Sequence, residues 1–328
     1  MLSVKQNFLE TIHGGNPDRF VKQFEYLKMV GNPFRNHNPS PKKGEYNVVN
    51  AWGITRSYPE NTPGSFPVHT PEKVVIKDIR RWRDYVHAPS VKWSEVEWEP
   101  FIAAAEKIDR NEYYASASVS PGIFEQCHHL GEIQQTLINL YEEPDYMHDL
   151  IRYLTDFELR FADELCSHVH PNALFHHDDW GSQRSTFMSP AMFDDFYLEP
   201  YKEVYGYYRS RGCEVVVHHS DSYAATLVPE MIEIGIDVWQ GCMTTNNITD
   251  LIEKYGGKIT FMGGIDSADV DRPGWTQEMC ANAVRKACTT YGKKYFIPNA
   301  SIGFAGSTFP GVYQALDEEI DKMSKELF

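Results

Sequence analysis

Three tandem histidine pairs are the groups in this chain best suited to chemistry: His128-His129, His176-His177 and His218-His219, which hold six of its thirteen histidines. The second pair leads into acidic residues in the segment 175–181, and the third does so in the segment 217–222. Each of these two pairs ends a short apolar run that is typical of a buried strand. Because imidazole and carboxylate groups gathered at strand ends can bind a metal ion or transfer protons, we predict such a site here.

The alternation of side chains along a strand limits which of these groups can face one another. Asp178 shares a face with His176, and His219 shares a face with Asp221. Asp178 and Asp179 can point the same way only if the strand has already ended. Asp179 also has a structural alternative, because it could cap the segment that follows it.

The first histidine pair follows Pro121-Gly122 in a segment with a helical pattern. One imidazole of this pair could simply face solvent. Glu125, one turn earlier, could join a site from the start of the helix. The pattern leaves both alternatives open, and His128-His129 has no assigned role.

Strand-like apolar runs alternate with helical patterns and must position these groups. Several runs are continuously apolar, as parallel strands buried on both faces are. Repeated strand-then-helix units predict an α/β fold, either a parallel barrel or a doubly wound sheet, with function at the carboxyl ends of the strands. Asp266 and Asn299 end two further runs and join the candidate site. The predicted strands are 20–26, 46–52, 113–119, 173–177, 214–219, 237–240, 258–263 and 294–299.

Composition and charge exclude several classes of function. The 328-residue chain carries a net charge of −15 and no block rich in Lys and Arg, which argues against nucleic acid or an anionic membrane as partner. Its six cysteines form no Cys-x-x-Cys pair, and the N-terminus lacks the apolar stretch of a signal peptide. We therefore expect a reduced cytoplasmic protein without a four-cysteine zinc site. Phosphate-binding glycine loops and serine-hydrolase elbows are also missing.

Five motifs follow one another in a recognisable order: HDDWGSQ at 177–183, MSP at 188–190, HHS at 218–220, IGIDVW at 234–239 and GGID at 263–266. This order resembles that of the uroporphyrinogen decarboxylase superfamily. The resemblance implies a single (β/α)8 TIM barrel spanning 1–328, with the long loops 31–45 and 57–67 as N-terminal insertions. The superfamily contains cofactor-free decarboxylases of uroporphyrinogen. It also contains methyltransferases that use cobalamin on a separate corrinoid protein, usually with zinc.

The match to the decarboxylases lacks their substrate-binding groups. Their arginine-rich segment at the first strand corresponds here to 19–25, and the acidic residue after their second strand falls within 50–53. Their histidine after the last strand falls near Ile302. A net charge of −15 would also oppose a polyanionic substrate. A decarboxylase acting on a different small carboxylic acid therefore stays the alternative.

The match to the methyltransferases is better but implies a changed metal site. Thiol-forming members hold zinc through His-x-Cys after one strand and Cys after the last strand. His218 matches the histidine, whereas Ser220 replaces the first cysteine and Ser301 or Ile302 the second. The resemblance therefore implies zinc with nitrogen and oxygen ligands, a harder Lewis acid suited to an ether or phenolic oxygen. The expected ligands are His218, His176 and Glu125, with Asp178 and Asp221 as further candidates.

The resulting hypothesis is a methyltransferase that moves a methyl group from a small donor, such as a methoxylated aromatic compound, to Co(I) cobalamin. A corrinoid protein would carry the cobalamin and dock over the barrel mouth, and a homodimer is also allowed. The expected catalytic residues are Asp178, Asp179 and His219, and the expected substrate contacts are Trp52, Gln183, Asp266 and Asn299. A barrel that binds a ligand without catalysis is the third alternative.

Overall fold

Two sheets make up the β-structure of the computed structural model, which describes all 328 residues. Seven strands form a parallel sheet in which neighbours follow chain order, and β2–β4 form a small antiparallel sheet. The strands are β1 (Leu27–Met29), β2 (Val48–Val49), β3 (Thr55–Ser57), β4 (Phe66–Pro67), β5 (Tyr114–Val119), β6 (Ala173–His177), β7 (Val215–His219), β8 (Val238–Cys242), β9 (Thr260–Ile265) and β10 (Phe296–Ala300).

Helices connect the successive strands from β5 to β10, as the alternation in the sequence predicts. Ser189 caps α7 by accepting a hydrogen bond from the backbone nitrogen of Met192 at 3.2 Å, and Pro190 fits the first turn because it has no N–H. No helix combines the length and the apolar composition needed to cross a bilayer. The helices are α1 (Val4–Ile12), α2 (Phe34–His37), α3 (Glu95–Ala105), α4 (Ile123–Gly131), α5 (Ile133–Glu142), α6 (Pro144–His168), α7 (Pro190–Phe193), α8 (Glu199–Ser210), α9 (Val228–Ile234), α10 (Ile248–Tyr255), α11 (Ser267–Val270), α12 (Gln277–Tyr291) and α13 (Val312–Leu327).

The parallel sheet curls around an interior core. A cluster of buried apolar side chains takes at least one member from each of its seven strands, including Phe175 and Val217. Their sequence neighbours Leu174 and Val216 belong to the larger core between the sheet and the helices. The fold is therefore an α/β half-barrel that is compatible with the expected TIM barrel.

The eighth strand that would close the barrel, expected at 46–52, is not part of the parallel sheet. Only Val48–Val49 is extended, and it pairs antiparallel with β3. The chain reverses between them because Gly53, with φ of +78°, donates its backbone N–H to the carbonyl oxygen of Asn50 at 3.0 Å. The residues that would have continued the strand therefore lie in this hairpin turn.

The first strand is also displaced from its expected position at 20–26. Gln23 has φ of +40°, which interrupts an extended conformation, and β1 begins only at Leu27. One side-chain contact joins the two edges of the parallel sheet. Asn299 Nδ2, on β10, donates a hydrogen bond to Gln23 Oε1, before β1, at 3.3 Å.

The two long N-terminal loops cover the carboxyl end of the parallel sheet. Arg56 of β3 and Phe66 of β4 line the same cavity as Ser118 of β5. Phe34, from the loop 31–45, lines a neighbouring cavity. These segments therefore contribute side chains to the region where a barrel holds its active site.

Candidate active site

A cavity of about 430 Å³ opens at the carboxyl end of the parallel sheet, and we call it the mouth. His177 ends β6 and His219 ends β7, and both line it. Their position follows from strand alternation, because Phe175 and Val217 occupy the interior positions two residues earlier. Asp179, two residues beyond His177, also lines the mouth.

His177, Asp179 and His219 converge without bonding to one another. One ligand atom from each lies within 4.8 Å of the other two. His219 Nε2 is 3.6 Å from Asp179 Oδ1, and His177 Nε2 is 4.0 Å from Asp179 Oδ2. The ring centroids of the two histidines are 4.2 Å apart. These separations leave a gap that a small cation could occupy.

Both imidazoles are held in the neutral form. Desolvation, with the neighbouring His219, lowers the pKa of His177 to about 3. Burial also lowers the pKa of His219, although Asp179 opposes the shift. A neutral imidazole offers a nitrogen lone pair, which is the form that binds metal ions.

The hydrogen bond with Gln240 fixes the tautomer of His219. The Gln240 side-chain nitrogen donates to the backbone carbonyl oxygen of Ile302 at 3.0 Å and to Asn299 Oδ1 at 2.7 Å. Gln240 Oε1 is therefore turned toward His219 Nδ1, which must be the donor of their hydrogen bond. His219 Nε2 is left unprotonated and faces Asp179.

Glu125 approaches the same gap from α4. Its Oε2 atom is buried without a hydrogen-bond partner and lies 3.7 Å from His177 Nε2. Burial raises the pKa of Glu125 well above its usual value, and the charges of Asp179 and Asp178 add to this effect. Glu125 can therefore hold a proton at neutral pH.

The Asp178 side chain is buried and bonded inside the protein, and it does not face the mouth. Its carboxylate accepts hydrogen bonds from the backbone nitrogens of Phe124 at 2.9 Å and Glu125 at 2.8 Å, at the start of α4, and from the Tyr201 hydroxyl. The side chain is fully buried, and desolvation raises its pKa to about 7. Asp178 thus positions Glu125 by capping its helix.

Arg56 brings a positive charge to the mouth. Its Nη2 atom donates to the backbone oxygen of Ser65 at 2.6 Å, whereas its buried Nε atom has no partner. Burial lowers the pKa of the guanidinium, and the nearby Glu125 opposes that shift. Arg56 thus has an unused donor.

Of the first histidine pair, His129 lines the mouth and His128 lies beside it. Glu125, His128 and His129 bring ligand atoms within 4.8 Å of one another and, with His69, line a separate cavity of about 320 Å³. Desolvation lowers the pKa of His128 to about 4. His129 is buried, so neither histidine is simply a solvent-facing group on an open surface.

Comparison with known proteins identifies the family of this chain. The model of the uroporphyrinogen decarboxylase (URO-D) family matches residues 122–323, more than half of the chain. The chain belongs to this family. No curated protein sequence matches it.

Two solved structures are similar to this chain at low sequence identity. The methyltransferase from Methanosarcina mazei has a TM-score of 0.65 and 14% identity, with 98% of this chain and 99% of that chain covered. A putative vitamin-B12 independent methionine synthase from Listeria monocytogenes has a TM-score of 0.44 and 12% identity, with 74% and 73% covered. The first match shows that the fold shared with that methyltransferase covers nearly the whole chain.

His218, expected as a metal ligand of this URO-D family member, faces the helices and not the mouth. Its Nε2 atom donates to the backbone carbonyl oxygen of Asp178 at 3.1 Å, and its Nδ1 atom accepts from the Tyr205 hydroxyl at 2.8 Å. Trp180 packs against the ring at a centroid distance of 3.9 Å. Both ring nitrogens of His218 are therefore engaged by contacts inside the protein.

His176, the second expected ligand, also points into the helical layer. Its Nε2 atom lies 3.0 Å from the buried Glu158 carboxylate. The third expected ligand, Glu125, does lie at the mouth. The imidazoles at the mouth are therefore those of His177 and His219, one residue along in each pair.

The same one-residue difference applies to the residue two positions after the histidine, where the resemblance led us to compare Ser220 with a cysteine. The interior-facing pair is His219 and Asp221, both of which line the mouth. Ser220 is buried and accepts a hydrogen bond from the Trp180 backbone nitrogen at 3.0 Å. None of the six cysteines lines the mouth. A carboxylate, and no sulfur, thus lies two residues after the histidine at the mouth.

The four expected substrate contacts are not gathered in one place. Trp52 lines a neighbouring cavity of about 380 Å³, and Asn299 is buried beneath the mouth in contact with Gln240. Asp266 accepts a hydrogen bond from the backbone nitrogen of Thr244 at 3.0 Å and so holds the loop after β8. Gln183 is exposed and lines neither cavity.

Gly303 closes one side of the histidine pair. A Cβ atom at this position would lie 2.8 Å from His219 Nε2 and 3.0 Å from His177 Nδ1. The loop after β10 therefore passes directly over both imidazoles. No motif in the sequence indicates this contact, and the expected ligands, catalytic residues and substrate contacts did not include His177, Arg56 or Gln240.

Proposed function

We propose that this protein is a methyltransferase that moves a methyl group from a small aromatic methyl ether to cobalamin on a separate corrinoid protein. One observation carries the proposal: two neutral imidazoles and a carboxylate, from His177, His219 and Asp179, converge on a gap at the mouth. Membership of the URO-D family and the fold shared with a methyltransferase support the class of reaction.

The donor set at the gap fits zinc. His177 and His219 would supply two nitrogen ligands and Asp179 one oxygen ligand, which are donor types found in catalytic zinc sites. The unpartnered Oε2 atom of Glu125 lies beside this donor set, close to His177. A zinc ion held by these residues supplies a Lewis acid for the ether oxygen.

The chain's own groups account for the rest of the reaction. The bond between the methyl carbon and the ether oxygen breaks, the methyl group passes to the corrinoid partner, and the oxygen needs a proton. Glu125 is placed to give that proton, since its carboxyl group has no partner inside the protein. Arg56 is placed to bind negative charge on the released oxygen through its unused Nε–H.

The experiment combines the purified protein with a reduced corrinoid protein and a set of aromatic methyl ethers. Methyl transfer is followed by the change in the corrinoid absorption spectrum. We expect transfer with wild type, a loss of at least about 100-fold in His219→Ala, and normal transfer in the surface variant His87→Ala. His87 is exposed, which makes it a matched control.

The main alternative is a decarboxylase of the same family. Release of CO2 from a small carboxylic acid without any corrinoid protein would favour it. Absence of both bound metal and methyl transfer would sink the methyltransferase proposal.

A further inference from the structure

A second cavity, which we call the chamber, lies beside the mouth and has aromatic walls. Its volume of about 380 Å³ falls in the range of small-molecule sites. Trp52 and Phe157 meet edge to face there, with ring centroids 4.7 Å apart. Phe34 and Phe161 complete the aromatic lining. Such walls fit a planar ring.

Three buried polar atoms of the chamber lining have no hydrogen-bond partner: Asn32 Oδ1, Gln126 Nε2 and Arg56 Nε. Asn32 is 4% exposed and Gln126 is 6% exposed, so bulk solvent does not satisfy them. An unpaired buried polar group costs about 1–3 kcal/mol. Three of them around one cavity therefore indicate a polar ligand that pairs with them.

The chamber adjoins the mouth. Arg56, Ser118, Ser120 and Pro121 line both cavities. A ligand whose ring occupies the chamber can therefore present one substituent to the mouth at Arg56.

We infer that the chamber binds the ring of a single-ring methyl ether that also carries a free hydroxyl group, with the ether end at Arg56. The inference rests on the proposed function and adds the substrate class. A hydroxyl both donates and accepts hydrogen bonds, so it pairs with Asn32 Oδ1 and Gln126 Nε2 together. Trp52 then contacts the substrate ring, as the sequence analysis expected.

Binding alone tests the inference, without a corrinoid protein. Calorimetry compares 4-methoxyphenol with anisole, which lacks the hydroxyl, and with 4-methoxycyclohexanol, which lacks the aromatic ring. We expect 4-methoxyphenol to bind at least about tenfold more tightly than either, equivalent to about 1.4 kcal/mol. Equal affinity for 4-methoxyphenol and anisole would overturn the inference.

Variants locate the ligand in the chamber. Gln126→Leu and Asn32→Leu should reduce the preference for 4-methoxyphenol over anisole to about one, because each removes a hydrogen-bond partner of the hydroxyl. Gln134→Leu, on the exposed face of α5, should keep the preference. A preference unchanged in both chamber variants would contradict the assignment. The wild-type comparison decides the inference even where a variant fails to fold.

The two proposals fail separately. Tight 4-methoxyphenol binding without methyl transfer would retain the chamber and refute the methyltransferase. Methyl transfer with no preference for the hydroxyl would retain the methyltransferase and refute the chamber inference.

Discussion

His219 Nδ1 donates a hydrogen bond to Gln240 Oε1, and this contact decides which imidazole nitrogen faces the mouth. The Gln240 amide is itself oriented by the backbone carbonyl oxygen of Ile302, which can only accept. A backbone atom in the loop after β10 therefore sets the tautomer of a histidine on β7. Partners of this kind commonly raise the metal affinity of the histidine that they orient.

Gln240→Leu should weaken zinc binding about 10–100-fold, because His219 Nδ1 loses its acceptor and the ring loses its fixed tautomer. Titration with zinc in competition with a chelating dye measures the change. Gln134→Leu serves as the exposed control. Unchanged zinc affinity in Gln240→Leu would show that the tautomer does not matter at this site.

His219→Ala and His218→Ala should behave differently, although the two residues are adjacent. His219→Ala should remove the bound metal with little loss of stability. His218→Ala should keep the metal but lower the free energy of unfolding by about 1–3 kcal/mol, since it leaves Tyr205 and the Asp178 carbonyl without a buried partner. Metal analysis and urea unfolding of both variants check this. The reverse pattern would restore His218 as the ligand.

Asp178→Ala should destabilise the protein by about 1–2 kcal/mol through loss of the cap on α4. We expect methyl transfer to fall with it, because Glu125 follows the cap in the same helical turn, while the metal content stays normal. Loss of the metal together with activity would instead make Asp178 a ligand.

Arg56→Met should lower kcat more than it raises KM if the guanidinium stabilises charge that develops on the released oxygen. Steady-state kinetics with a phenolic methyl ether separate the two effects. A pure increase in KM would show that Arg56 only binds substrate. Arg35→Met provides a comparison, because Arg35 lines the chamber but not the mouth.

In the metal-free protein, the contribution of His177 to stability should be lost as the pH falls below 6.5, the ordinary pKa of histidine. The folded-state pKa of His177 is lowered to about 3, so between these values the unfolded chain binds more protons than the folded chain. The free energy of unfolding therefore rises with pH across this window, by at most about 1.4 kcal/mol per pH unit for this residue. Urea unfolding in a chelator at several pH values measures the slope. His177→Asn should remove the part of the slope that His177 contributes, and His87→Asn should leave the slope unchanged.

Strand positions on the second half of the chain were predictable, but the face on which each histidine lies was not. β6 occupies the predicted residues 173–177. Both faces of β6 and β7 are buried, so the apolar residues Leu174 and Phe175 give no sign of which side faces the interior. The expectation for His218 therefore depended on the family motif, whereas the imidazole that lines the mouth is that of His219.

The N-terminal part was less predictable because its role depends on long-range packing. The residues 46–52 have the apolar content of a strand, but the turn at Gly53 folds them back into a hairpin. Arg56 comes from that hairpin. Its sequence context contains nothing that would place it at the mouth, so only the folded chain could reveal it.

Gly303 imposes a size limit at the mouth, since no side-chain atom fits between its loop and the rings of His177 and His219. A family member with a larger residue at this position would have to rotate at least one of these rings. That rotation would turn a different nitrogen toward the gap and disturb the contact with Gln240. The smallest residue of the loop thus constrains how this metal site can diversify during evolution.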